Sequence, residues 1–451
     1  MLHRHRRAFS ALSDQPHLPR RIGLVGAVVL SFNGAVAASI FALPATLAAD
    51  FGNFSPLLFP VVAFAALLIV IPFTRTAAAF PHSGGPAAYG AVFGRLVGFE
   101  LGWIYYIARA AAFAANANVL SAYLSRWIAG ADEGLLRAGI LISVTAVFAV
   151  VNIAGVRKSI GLLSGLTVLK AVPLFLAAGA AIALTFPWPM PTPAPTLTEF
   201  EAGLLIVLYA FVGFEQAVVP AGETRNPGRN LPRAIFITIA VTTLLYFLVQ
   251  LAFVSALPGG ASDDKSPLID LGAWLAGPAG AAALTLAAIA SLAGSLHGIM
   301  TSTPRVSYAL ADRGDLPRWF GRVQPRFETP ANSILFFAVF AVALAISGSF
   351  VWLAVVSTLA RMIVYAVTIA ALPRAPGQGQ IAIRHWVLGA IGIAVCIWAA
   401  SQADAKAWLT LGGLSALGLL LYAVAARGSA SSTREADVSA IQPPPSNREP
   451  S

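Results

Sequence analysis

The chain has 451 residues, of which 58% are hydrophobic and only 11% charged, and its mean hydropathy is +0.77. A soluble fold of this size cannot hide that much apolar surface, so the composition excludes a soluble protein and predicts an all-α membrane protein. The net charge of +10 suits either a nucleic-acid partner or membrane topology, and its placement along the chain decides between them.

Residues 1–21 carry Arg4, Arg6, Arg7, Arg20 and Arg21 ahead of an apolar stretch that runs past Pro44 to Ala49. That stretch is too long for a signal peptide and lacks a convincing cleavage site, so it predicts a retained first span over 22–48. Further runs of the length that crosses hydrocarbon, roughly 20 residues, predict spans over 56–79, 97–125, 137–155, 160–185, 200–221, 233–257, 280–311, 331–348, 350–372, 386–402 and 407–426. About twelve spans result, and no soluble domain of useful size is left over. Cys396 is the single cysteine and can form no intramolecular disulfide. Residues 427–451, rich in Ser, Pro, Glu and Arg, predict a disordered tail.

The basic residues alternate with the loops. One set of segments holds Arg75 and Arg95, Arg157 and Lys158, Arg225 to Arg233, Arg313 to Arg326, Arg374 and Arg384, and Arg427 onward. The opposite loops hold only Arg126, Lys265 and Lys406. The positive-inside rule therefore places both termini in the cytoplasm of a multi-pass protein of the inner or plasma membrane. No nucleic acid is needed to explain the charge.

Two spans carry features of broken helices. The first contains Asn33-Gly34-Ala35-Val36-Ala37-Ala38-Ser39, where small residues allow either a close-packing face or an unwound point. The sixth is interrupted at Gly213-Phe214-Glu215, and it opens a second group of five spans. Breaks at corresponding places point to two inverted repeats, 22–185 and 200–372, with 386–426 peripheral. A broken helix offers backbone N–H groups at one end and C=O groups at the other, which together suit a zwitterion.

Ionisable groups within spans are costly and mark function by default. Lys170 sits about ten residues from either end of its span, too deep to snorkel, and has no acid beside it in sequence. Glu215 reads either as a coupling group or as the partner of Arg109 or Arg361, both also within spans. His297 reads either as a cavity residue or as a hydrogen-bonded link between helices. The arginines of 225–233 read as a headgroup belt, with Glu223 a possible gate at the same face. No carboxylate pair, histidine cluster or Ser-His pair occurs at useful spacing, so neither an enzyme nor a bound metal or cofactor is expected. The Gly84-Gly85 turn lacks the strand and lysine of a phosphate loop and reads as a re-entrant or close-packed turn.

From Ile22 to about Arg374 the chain resembles the amino acid-polyamine-organocation superfamily of permeases. Four stretches carry the resemblance: Ser39-Ile40-Phe41-Ala42-Leu43-Pro44; Pro81 to Tyr89 with Gly94, Gly98-Phe99 and Gly102-Trp103; Tyr209 to Glu215 with Glu223, Asn226-Pro227, Arg229 and Pro232; and Arg305 to Asp312 ending at Leu316-Pro317. The resemblance implies a LeuT-like fold and secondary transport of an amino acid or related amine. It implies a substrate carboxylate at the backbone of Ala35, Ala37, Ala38 and Ser39, and an ammonium at carbonyls near Tyr209, Ala210 and Val212. Tyr209 and Phe214 are then gate or pocket residues, and Lys170 couples transport to protons, with Glu215 the competing candidate. Where the family places glycines, Ala37 and Ser39 narrow the backbone approach. The leading expectation is a proton-coupled amino acid permease. Exchange of an amino acid for its product amine is the alternative within transport, and a non-transporting nutrient sensor the alternative outside it.

Overall fold

Within hydrocarbon a backbone has no water to bond, so long apolar runs become helices that satisfy their own N–H and C=O groups. The computed structural model describes residues 22–441, apart from 81–84, 155–159, 192, 219–223, 261–264 and 376–381. Its helices are α1 Leu24–Ala35, α2 Ala38–Phe51, α3 Ser55–Ala79, α4 Gly85–Gly90, α5 Arg95–Leu124, α6 Gly134–Ile153, α7 Ile160–Leu184 and α8 Leu197–Tyr209. They continue as α9 Pro227–Ala256, α10 Leu268–Ser302, α11 Pro304–Asp312, α12 Ala331–Ser347, α13 Phe350–Ala370, α14 Ile383–Ser401 and α15 Ala405–Ile441. Among the described residues there is no strand, and nine segments are long and apolar enough to cross a membrane. Glu223 and the Pro81–Gly84 part of the expected loop lie outside the described residues.

The middle of the bundle is α5, which buries Trp103, Tyr106, Arg109 and Tyr123 completely or nearly so. Its 30 residues reach about 45 Å at 1.5 Å per residue. Its aromatic, Asn and Arg content keeps it out of the nine apolar segments although it is among the most buried helices. α6 and α15 lie outermost, each with only 17% of its apolar window covered by protein. α15 is seated on α5 at Gly418, where an added Cβ would meet Trp103 Cδ1 at 2.2 Å, and the Trp103 indole N–H donates to the Leu414 carbonyl at 2.9 Å.

Three local features bear on the sequence reading. The span expected from 280 is met by a helix that starts at Pro278, because Ala276 and Gly277 are non-helical, the latter at φ +57°, and divide α10 into two helical pieces. The two pieces fold back on each other, since a Cβ on Gly272 would lie 2.4 Å from the Gly280 oxygen, an approach that a continuous helix cannot make. Gly85 opens α4, which is tightly packed on α5: a Cβ on Gly98 would lie 3.0 Å from the Ala87 carbonyl oxygen. α15 continues to Ile441, into a stretch whose composition suggested disorder.

Candidate functional site

The first span is broken at Val36 and Ala37. Val36 is extended at φ −88°, ψ 91° and Ala37 lies at φ −134°, ψ −124°, between α1 and α2. Each stub needs partners from elsewhere, since neither terminal residue carries a capping side chain. Lys170 on α7 supplies one: its ammonium donates to the Val36 carbonyl at 2.7 Å and lies 5.5 Å from the Phe32 ring centroid. A cation at a helix C-terminus is favoured by the helix dipole. Asn116 on α5 supplies the other, its Oδ1 accepting from the Ala38 N–H at 2.9 Å. Ser39 is tied to the Tyr246 hydroxyl of α9 by a short hydrogen bond.

The sixth span is broken after Tyr209. Gly213 takes φ +107°, a conformation in which a side chain is strained, and a short 3-10 turn over Phe214–Ala217 follows. Glu215 closes this turn on itself: Oε2 accepts from the Gly213 N–H at 2.8 Å and from the Tyr365 hydroxyl at 2.8 Å, and Oε1 accepts from Arg361 Nε at 3.0 Å. The two breaks touch backbone to backbone. A Cβ on Gly34 would lie 2.1 Å from the Gly213 oxygen, and one on Gly213 would lie 2.2 Å from the Gly34 oxygen. Ser31 adds a hydroxyl donated to the Phe214 carbonyl at 3.2 Å.

A cavity of about 20 Å³ lies between the breaks, room for about one water. Ala35, Ala37, Ser39, Tyr209 and Val212 line it, joined by Arg109, Asn116, Gln216, Ser295 and Arg361. Arg109 is 2% exposed. Its Nη2 donates to Ser302 Oγ at 3.2 Å, and with the Gln216 amide oxygen turned toward it Nη1 and Nη2 donate there at 2.8 and 3.1 Å. Among the described residues no carboxylate forms an ion pair with Arg109, whereas Arg361 and Glu215 neutralise each other. The wall of the cavity therefore holds one surplus positive charge.

The expected site residues separate into two groups. Ala35, Ala37, Ser39, Tyr209 and Val212 meet at the cavity, and Ala38 adjoins it through Asn116. Ala210 is buried in the turn but is not part of the lining. Phe214 points elsewhere, packing edge-on to Phe73 at 5.5 Å and tilted on Tyr365 at 5.3 Å. Lys170 sits behind the first break, and of the two partners weighed for Glu215 it is Arg361 that makes the ion pair. His297 is also outside the lining, set against Phe148 and 3.5 Å from Asn152 Nδ2, a link between helices. Sequence reasoning passed over Asn116, Gln216, Tyr246 and Ser295. Asn116 was the findable one, a buried amide within a span that must have a partner.

Apolar spans, two helices broken at touching points and a polar cavity between them make this a membrane transporter. The amino acid permease family matches residues 22–400, and the chain belongs to it, within the amino acid-polyamine-organocation superfamily. It is 30% identical over 340 residues to an uncharacterized transporter of Mycobacterium tuberculosis, covering 73% of this chain and 74% of that one. It is 24% identical over 353 residues to the branched-chain amino acid permease BcaP of Bacillus subtilis, covering 73% and 75%. To the methylthioribose transporter of the same bacterium it is 22% identical over 441 residues, covering 92% and 95%.

Proposed function

We propose that the chain is a secondary active transporter that moves an amino acid across the cell membrane by alternating access, coupled to protons through Lys170. In this reading 22–185 and 200–372 form two inverted repeats of five spans, 386–426 is peripheral, the count is twelve, and both termini are cytoplasmic. The observation that carries it is the bond from the Lys170 ammonium to the Val36 carbonyl, because it joins an intramembrane proton carrier directly to the broken helix. A charge-assisted hydrogen bond is about twice as strong as a neutral one. Loss of the proton therefore loosens the first break, and protonation tightens it.

The substrate's carboxylate is met by Arg109 and by the start of α2, where the helix N-terminus favours an anion. The surplus positive charge favours an amino acid over a polyamine, so amino acid transport leads over exchange for an amine. Glu215 serves as a countercharge, with both oxygens occupied. The test is uptake of an amino acid panel into proteoliposomes with and without an inward proton gradient. Gradient-stimulated uptake that loses its stimulation in Lys170→Ala is expected; net uptake indifferent to the gradient and to Lys170→Ala removes the coupling role.

A further inference from the structure

Away from the breaks, a recess of about 920 Å³ opens between α3, α9 and α14. Its rim carries Arg75, Arg233, Arg384 and His385, and its wall is apolar, with Leu67 and Phe236 at the inner end. The same Leu67 and Phe236 begin a second recess of about 580 Å³ that follows the seam of α3 and α9 past Phe64 to Leu244 and Phe247. The two make one furrow, cationic at the top and apolar along its length.

The cationic end is a convergence. Arg75 stands about one turn before the end of α3 at Ala79, Arg233 near the start of α9 and Arg384 near that of α14. Arg75 Nη1 bonds to His385 Nε2, and among the described residues none of the three arginines forms an ion pair. Three guanidinium groups drawn together without an acid call for an anion, and arginine's planar fork matches the oxygens of a phosphate. The apolar end states what the anion is attached to. From Arg75 to Pro60, α3 covers about 22 Å at 1.5 Å per residue, more than the ~15 Å that is half of a ~30 Å hydrocarbon core. A free phosphate leaves that length unused, and a zwitterionic headgroup brings its own cation to the arginines.

We propose that the furrow binds one anionic phospholipid, its phosphodiester among Arg75, Arg233 and Arg384 and an acyl chain along the seam of α3 and α9. The lipid then touches the two helices that brace the breaks: α9 carries Tyr246, bonded to Ser39, and α3 carries Phe73, packed on Phe214.

The test uses the delipidated full chain in detergent, with native mass spectrometry and thermal shift against phosphatidylglycerol, phosphatidylcholine and inorganic phosphate. A single retained phosphatidylglycerol that stabilises the protein is expected. Its preference over phosphatidylcholine is expected to fall roughly 100-fold in the Arg75→Gln, Arg233→Gln, Arg384→Gln variant. Thr243→Trp, which fills the apolar half and leaves the arginines in place, is expected to weaken phosphatidylglycerol retention by itself. Equal retention of both lipids, an unchanged preference in the triple variant, or stabilisation by phosphate equal to that by phosphatidylglycerol overturns the assignment.

Discussion

Gly213→Ala tests the central contact of the site, because it puts one methyl group where the two breaks meet. The new Cβ would lie 2.2 Å from the Gly34 oxygen and 2.5 Å from the Gly34 carbonyl carbon, with backbone on both sides and no flexible side chain to give way. Holding an alanine at φ +107° adds conformational strain of about 1–2 kcal/mol, and overpacking adds about 1–3 kcal/mol. Together these reach about 2–5 kcal/mol, a large part of the ~5–15 kcal/mol that separates typical folded and unfolded states. Gly34→Ala isolates the clash, since its Cβ would meet the Gly213 oxygen at 2.1 Å while Gly34 itself lies within helix α1. Gly298→Ala is the control, with nothing within 4 Å of its Cβ and a helical position where alanine gains about 0.5–1 kcal/mol. Thermal unfolding of the full chain in detergent should rank Gly213→Ala lowest, Gly34→Ala next, and Gly298→Ala at or above the unmodified protein. Uptake in proteoliposomes should fall in the same order. A Gly213→Ala protein with unchanged melting and unchanged uptake refutes the argument that the breaks are locked to each other through backbone contact.

Glu215→Gln leaves Arg361 buried without its charge partner and is expected to cost about 3–5 kcal/mol. Glu215→Gln with Arg361→Gln should recover part of that loss in a thermal double-mutant cycle, and strictly additive effects would show the pair to be uncoupled. Asn116→Leu strands the Ala38 N–H at about 1–3 kcal/mol, whereas Asn116→Asp keeps an acceptor; melting curves that do not separate the two variants count against the capping role. Arg109→Gln removes the surplus charge beside the cavity, and KM for a transported amino acid is expected to rise at least roughly 10-fold, the value of one charge-assisted hydrogen bond. An unchanged KM would place the substrate carboxylate elsewhere.

Much of the fold was legible because a span announces itself locally. Apolar runs, the alternation of arginines and the Gly-rich interruptions at Gly34 and Gly213 depend only on neighbours in sequence, and the helix ends fall within a few residues of the expected ones for most spans. The span start expected at 280 falls close to the observed one for the same reason, because Gly277 and Pro278 interrupt the helix locally. Glu215, Lys170, Arg109 and Arg361 could be singled out on cost alone, since an ion in a span must have a reason.

By itself, then, the sequence determined that this chain crosses the membrane many times, where its helices break, and which few charges it buries. Tertiary structure alone decided that Glu215 meets Arg361 rather than Arg109, that Lys170 holds the Val36 carbonyl, that Asn116 caps α2, and that Phe214 turns away from the cavity. Hydrophobic length is a property of a segment, while the meeting of two groups more than seventy residues apart, as with the Ala38 N–H and the Asn116 side chain, depends on how each helix is rotated and packed against its neighbours. That rotation is set by shape and contact across the whole bundle, and no window of sequence contains it.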